Sequence, residues 1–157
     1  MFDRIGGLPV HVLVIHAAVV FVPLLVIGAI VYAVVPRLRP RIGWIVFLLA
    51  IIGPSCTFVA KESGPKLYDR LIKQGVSGKG KQMLDDHMGF GNMTFWFTLT
   101  LGIVTLIMII LTLRKSASLP RVADLGLAVI VVALAVISGY YVFRTGDSGA
   151  HAVWGTY

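Results

Sequence analysis

Four histidines, His11, His16, His87 and His151, are the side chains of this chain best suited to chemistry. Imidazole binds haem iron and other transition metals through a ring nitrogen, and it exchanges a proton near neutral pH. The first two lie near the start of the first long apolar segment, the third precedes the third segment, and the fourth follows the last. Four membrane crossings bring these positions to the same side. We therefore expect the four imidazoles to meet at one end of a helical bundle.

The composition shows that transmembrane helices must position these histidines. Of the 157 residues, 57% are hydrophobic and 13% are charged, whereas soluble domains average about 45–50% apolar and about 25% charged residues. Four apolar segments, at about 8–35, 42–60, 88–113 and 122–143, are each long enough to cross a bilayer. Only helices satisfy the backbone of such segments in lipid, and the alternating strands of a β-barrel are absent. We predict an all-α, four-helix transmembrane bundle in which residues 1–157 form one domain.

The basic residues indicate an orientation rather than a nucleic-acid partner. The net charge of +7 is concentrated between the apolar segments, and no basic stripe is interleaved with aromatic residues. The short loops 36–41 and 114–121 each carry three cations, which favours the cytoplasmic side. The longer segment 61–87 carries more cations but also four acids, which conflicts with that assignment. We predict a multi-pass protein of the bacterial cytoplasmic (inner) membrane, in contact with the lipid bilayer, with both termini outside.

Segment 61–87 is predicted to be an extramembrane loop. Residues 66–73 place apolar side chains on one helical face, which favours a short interfacial helix, and residues 75–81 favour a flexible loop. The glycine-lysine run in that loop lacks the spacing of a nucleotide-binding phosphate loop. No convincing internal repeat is evident. The single cysteine, Cys56, excludes an internal disulfide and a haem-attachment motif, so a haem would be held by coordination alone.

His16 and His87 are the pair that we expect to bind a cofactor. His16 lies roughly 12 Å into the first helix, where a polar ring is expected to face the bundle interior, binding a cofactor or a backbone carbonyl of the next helix. His11 lies about 140° around the helix from His16, so the two rings cannot share one ion on a straight helix. Either the first turn is irregular near Pro9, or only one of the two belongs to a given site. Alone, His11 would be an interfacial side chain.

Carboxylates near His87 widen the set of candidate metal ligands. Asp85 and Asp86 precede His87, where they would stabilise a helix start or orient the second ring nitrogen of the histidine. Glu62 ends the second apolar segment at the same face, and His151 lies in what we expect to be a mobile tail. Haem requires two axial ligands on opposite sides of one iron, whereas a smaller metal ion tolerates ligands at different depths. The candidate metal ligands are His11, His16, Glu62, Asp86, His87 and His151.

Three stretches of the sequence resemble a family of small bacterial four-helix membrane proteins that is common in actinobacteria. Residues 7–16 resemble its G-L-P-x-H-x-L-x-V-H opening, residues 86–91 its E-H-x-x-x-G element, and residues 141–154 its Y-R-x-G-H-S-G-A-x-x-V-W ending. The resemblance covers essentially the whole chain. It implies the fold and the membrane location, but the family carries no assigned activity. Asp147 stands where the family has a histidine, and His151 appears instead.

The sequence supports two main functional hypotheses. In the first, the histidine cluster at the outer face binds haem b or a transition-metal ion. In the second, the protein is an accessory subunit of a larger membrane complex, respiratory or other, and has no cofactor of its own. A transporter or channel component ranks third, because no charged residue lies in the middle of a span. No catalytic triad is recognisable, so we do not expect catalytic activity from this chain alone.

Overall fold

The computed structural model describes residues 4–113 and 120–155 and contains four long helices. Each helix has a stretch long and apolar enough to cross a membrane, which confirms the predicted all-α, four-helix fold. A two-residue turn at Gly6 and Gly7, both with positive φ, joins two short antiparallel strands ahead of the first helix. The elements are β1 (Arg4–Ile5), β2 (Leu8–Pro9), α1 (Val10–Val34), a 3₁₀ turn (Pro36–Leu38), α2 (Arg39–Lys73), α3 (Gly78–Leu113) and α4 (Arg121–Trp154).

The helices form an antiparallel ring. Each helix packs against its neighbours in sequence, α1 also packs against α4, and α1 and α3 lie on the diagonal. This arrangement brings the start of α1, the end of α2, the start of α3 and the end of α4 together. We call this the histidine end, because it holds His11 and His87, and we call the opposite end, which holds Arg39, the arginine end.

Apolar side chains fill the bundle interior and also cover its outside. Leu25, Leu101 and Val131, from three different helices, are fully buried in one core cluster. Large apolar side chains such as Ile27 and Ile107 face outward, as contact with lipid requires. The hydrophobic effect cannot drive helix association in lipid, so close packing between helices must supply the stability.

Arg39 ties three helices together at the arginine end. Its guanidinium forms a two-pronged ion pair with Asp124 of α4, with N–O distances of 2.9 and 3.3 Å. It also donates to the carbonyl oxygens of Tyr32 and Ala33, at 2.9 and 3.0 Å, in the last turn of α1. The hydroxyl of Tyr32 in turn lies 2.6 Å from that of Thr112 on α3. These bonds satisfy carbonyls that a helix end leaves without a partner and fix the register of the bundle.

Segment 61–87 differs from the predicted extramembrane loop because it is helical almost throughout. α2 continues without a break to Lys73, and α3 starts at Gly78, so only residues 74–77 connect them. Residues 61–73 have good helix formers on both sides of Gly64 and Pro65, and glycines with positive φ at Gly75 and Gly78 form the turn. At about 1.5 Å per residue, α2 and α3 exceed the roughly 30 Å hydrocarbon core of a bilayer and extend beyond it.

Candidate functional site

His11 and His87 form a close pair at the histidine end. Their ring centroids lie 6.3 Å apart, and the ring planes are nearly perpendicular, at 89°. Both side chains are half-buried, and they come from the diagonal helices α1 and α3. His11 is the second residue of α1. Pro9, with its fixed φ, is the N-cap of this helix. We call these two residues the histidine pair.

Hydrogen bonds to α2 set the tautomer of His11. Its Nδ1 lies 2.9 Å from the carbonyl oxygen of Ala60 and 3.3 Å from the hydroxyl of Ser63. The hydroxyl of Ser63 donates to the carbonyl of Val59, at 2.7 Å, so it presents a lone pair to the ring. Because a carbonyl oxygen only accepts hydrogen bonds, Nδ1 carries the proton. Neutral His11 therefore keeps an electron pair on Nε2.

His87 is held in the same way by α4. Its Nδ1 lies 3.1 Å from the carbonyl oxygen of Thr145 and 3.1 Å from the hydroxyl of Ser148. The hydroxyl of Ser148 donates to the same carbonyl of its own helix, at 3.1 Å. Nδ1 must again carry the proton, so neutral His87 also has an electron pair on Nε2.

Both rings rest against a glycine of the neighbouring helix. A Cβ atom added at Gly149 would lie 2.9 Å from Cε1 of His87, closer than real carbon atoms approach. A Cβ atom added at Gly64 would lie 3.5 Å from Cε1 of His11, which is ordinary contact. The ring of His87 therefore reaches its position only because residue 149 has no side chain.

His16 does not face the bundle interior, so the prediction that its ring points inward is wrong. His16 is exposed, and its Nδ1 lies 2.6 Å from the carbonyl oxygen of Val12 in its own helix. The predicted angle of about 140° between His11 and His16 explains this result, because only one of the two can point inward. A bond within the helix satisfies one nitrogen of the outward ring without a partner helix.

His151 also lies apart from the histidine pair. It is on helix α4 rather than in the mobile tail that we expected, because α4 continues to Trp154. It is exposed, and its Nδ1 lies 2.9 Å from the carbonyl oxygen of Asp147 and 3.4 Å from the carboxylate of the same residue. These contacts lie within one helical turn and bring no second helix to the ring.

The two candidate carboxylates do not complete a cluster of metal ligands. Glu62 is exposed and lies 3.4 Å from the ammonium group of Lys61. Asp86 is exposed and lies at an open surface depression that Asp85, Phe90 and Tyr141 also line. Within residues 4–113 and 120–155, no three His, Cys, Asp or Glu side chains are grouped to hold a metal ion. The six predicted ligands are therefore not gathered in one place, and the histidine pair is what the bundle brings together.

The role of the serines and glycines that hold the two rings was not predicted from the sequence, although Ser148 and Gly149 lie within the S-G-A-x-x-V-W ending. The sequence feature that these residues share is a triplet of an acid, a serine and a glycine, which occurs at residues 62–64 and again at residues 147–149. Such a triplet is too common to be noticed without the fold. Its significance follows only from its position beside a histidine of the adjacent helix.

A known family accounts for almost the whole chain. The family described as "Predicted membrane protein (DUF2231)" matches residues 7–156, a range that includes the histidine pair and the residues that hold it. Neither a curated protein nor a solved structure gives a significant match. The chain therefore belongs to this family of predicted membrane proteins.

Proposed function

We propose that this protein is an integral membrane protein that binds one transition-metal ion between His11 and His87. The observation that carries the proposal is that both Nδ1–H groups donate to backbone carbonyls of neighbouring helices. Metal-binding histidines almost always have their other ring nitrogen fixed in this way, because the bond sets both the tautomer and the ring orientation. Both Nε2 electron pairs are then available to an ion.

The separation of the two rings suits one shared ion. Two imidazoles that bind the same first-row metal at about 2.0–2.1 Å per bond place their ring centres roughly 5–6.5 Å apart. The observed separation of 6.3 Å falls in this range. The described residues supply no third His, Cys, Asp or Glu ligand, so water or an external molecule would take the remaining coordination positions. Open positions of this kind are typical of catalytic rather than structural zinc sites.

Haem b is the alternative that the sequence suggested for the same pair. An ion is favoured over haem because each ring is held against the backbone of another helix at Gly64 and Gly149. Placing a porphyrin between the rings would require α1 with α2 to move away from α3 with α4. A single ion requires only small rotations of the two rings.

The test is metal analysis of the purified protein and four single variants. Protein from cells supplied with haem and transition metals should contain about one ion per chain. His11→Ala and His87→Ala should each lose it. His16→Ala and His151→Ala are matched controls, since both rings are exposed and bonded within their own helix, and both variants should retain it. Metal that persists in the His11→Ala/His87→Ala double variant would overturn the proposal. A Soret band in the visible spectrum would identify haem instead.

The accessory-subunit hypothesis applies if the wild-type protein carries neither haem nor metal. It is supported by the length of α2, α3 and α4, whose ends extend beyond the bilayer at the histidine end and offer a surface to a partner subunit. Co-purification in mild detergent tests it directly. Recovery of the protein as a lone monomer would count against this hypothesis as well.

A further inference from the structure

We infer that α1–α2 and α3–α4 are two copies of one helical hairpin, and that Ser63–Gly64 and Ser148–Gly149 are equivalent positioning pairs for the two imidazoles. In each hairpin the first helix supplies a histidine and the second supplies the groups that hold it. The inference rests on the proposed function only where it assigns a metal ion to the site. The positioning itself is a property of the protein without metal.

The holding groups have the same spacing in both hairpins. In each hairpin, Nδ1 of the histidine donates to a backbone carbonyl and to the hydroxyl of a serine three residues after that carbonyl. The ring lies against the glycine that follows the serine. In both cases the ring atom nearest to the glycine position is Cε1. The corresponding residues are Ala60, Ser63 and Gly64 for His11, and Thr145, Ser148 and Gly149 for His87.

The local sequences agree where the contacts agree. Glu62 corresponds to Asp147, so an acid, a serine and a glycine follow one another in both second helices. The histidine and its serine are 52 residues apart in the first hairpin and 61 in the second. No fixed period therefore aligns the two halves of the chain. This difference explains why no convincing internal repeat was predicted from the sequence.

The serine acts as an additional acceptor rather than as a donor to the ring. Ser63 and Ser148 each have one hydroxyl proton, and each donates it to a carbonyl oxygen of its own helix. Each imidazole Nδ1–H therefore meets two acceptors, which favours that tautomer and leaves Nε2 unprotonated. In the second hairpin, the absence of a side chain at Gly149 lets the ring of His87 reach both acceptors.

The repeat also defines where a shared ligand must lie. Both hairpins start from the histidine end, so a pseudo-two-fold axis along the bundle relates them, as in parallel repeats of other membrane proteins. His11 and His87 approach each other across this axis from the diagonal helices. A single ion bound by both rings lies on the axis, and the two half-sites should contribute equally to its affinity.

Nitrogen-15 NMR of histidine-labelled protein, without metal and at pH 8, tests the positioning. In the wild type, His11 and His87 should both be Nδ1–H tautomers. Ser63→Ala should shift the tautomer population of His11 toward Nε2–H and leave His87 unchanged, and Ser148→Ala should do the reverse. Ser55→Ala is the matched control, since its exposed hydroxyl donates to a carbonyl of α2 but contacts no imidazole.

Metal titration of the same variants, with Zn²⁺ or Cu²⁺ alone as the probe, tests the equivalence. Ser63→Ala and Ser148→Ala should each weaken binding by about 10- to 100-fold, as loss of such partners commonly does. If the serine variants shift the tautomers but the wild type binds no metal, the proposed function is overturned and the positioning is supported. Unchanged tautomers with intact metal binding would overturn the positioning alone. A response from only one serine would refute the equivalence of the two hairpins.

Discussion

Gly149→Ala should disrupt the histidine pair, whereas Gly64→Ala should be tolerated. The new Cβ at position 149 would lie 2.9 Å from Cε1 and 3.2 Å from Nδ1 of His87. At position 64 the closest approach, to Cε1 of His11, is 3.5 Å. Since carbon atoms prefer separations of about 3.5–4.0 Å, His87 must move by roughly 0.6 Å or more, while His11 can stay in place.

The expected loss follows from the hydrogen bonds of His87. Its two bonds, to Thr145 and Ser148, are both 3.1 Å long, and a further half ångström places them beyond useful range. Two neutral bonds at about 0.5–1.5 kcal/mol each amount to about 1–3 kcal/mol. If this energy orients Nε2, metal affinity should fall about 5- to 150-fold, since about 1.4 kcal/mol is a factor of ten.

The assay separates a local effect on the ring from a global effect on the fold. Alanine favours a helix over glycine by about 0.8–1.0 kcal/mol, which offsets part of the loss in Gly149→Ala, so both variants should remain folded in detergent. Calorimetric titration with Zn²⁺ or Cu²⁺ should then show a loss for Gly149→Ala only. Equal affinity for both variants, or an equal loss in both, would refute the packing argument. If the wild type binds no metal, the nitrogen-15 shifts of His87 report the same displacement.

Three further predictions concern the bundle itself. Gly102→Ala places a Cβ 2.7 Å from a carbonyl oxygen of α2, so it should lower the free energy of unfolding by about 1–3 kcal/mol. Gly126→Ala, with nothing within 4 Å, is its control in detergent unfolding. Arg39→Met should lower the free energy of unfolding by about 3–5 kcal/mol in the same detergent unfolding assay, because it removes two carbonyl contacts and leaves the carboxylate of Asp124 unpaired. In a cysteine-free background, Val76→Cys should react with impermeant reagents outside sealed cells and Leu38→Cys should not. The opposite pattern would reverse the predicted orientation.

The four helices and the convergence of their ends could be predicted because both depend on coarse features of the sequence. Apolar windows of about 20 residues define the crossings, and an even number of crossings fixes which ends meet. The direction in which each histidine points could not be predicted. It depends on the rotational phase of a helix, and a shift of one residue turns a side chain by about 100°. His11 and His16 show this, since the less favoured of the two is the one that faces inward.

Hydropathy also could not predict how far the helices extend beyond the membrane. Residues 61–73 are polar enough to lie outside lipid, but they continue α2 because helix formation needs no apolar sequence once a helix has started. The turn between α2 and α3 is set by backbone conformation at Gly75 and Gly78, with φ of +98° and +56°. Hydropathy measures transfer into lipid, so it marks the membrane boundary rather than the helix boundary.

Arg39 and the histidine pair, at opposite ends of the bundle, are held by different kinds of contact, and this difference bears on the proposed function. At the arginine end, a charged side chain joins α1, α2 and α4 through an ion pair and carbonyl contacts. Charge-assisted bonds of this kind are stronger than neutral ones and resist rearrangement. At the histidine end, Tyr68 of α2 donates to the carboxylate of Asp85 on α3, at 2.7 Å. His11 and His87 themselves are held across the helices by neutral imidazole bonds of 2.9–3.3 Å to a carbonyl and a hydroxyl. Because neutral bonds are weaker, they would let His11 and His87 rotate toward the proposed ion, while the arginine end keeps the helices in register.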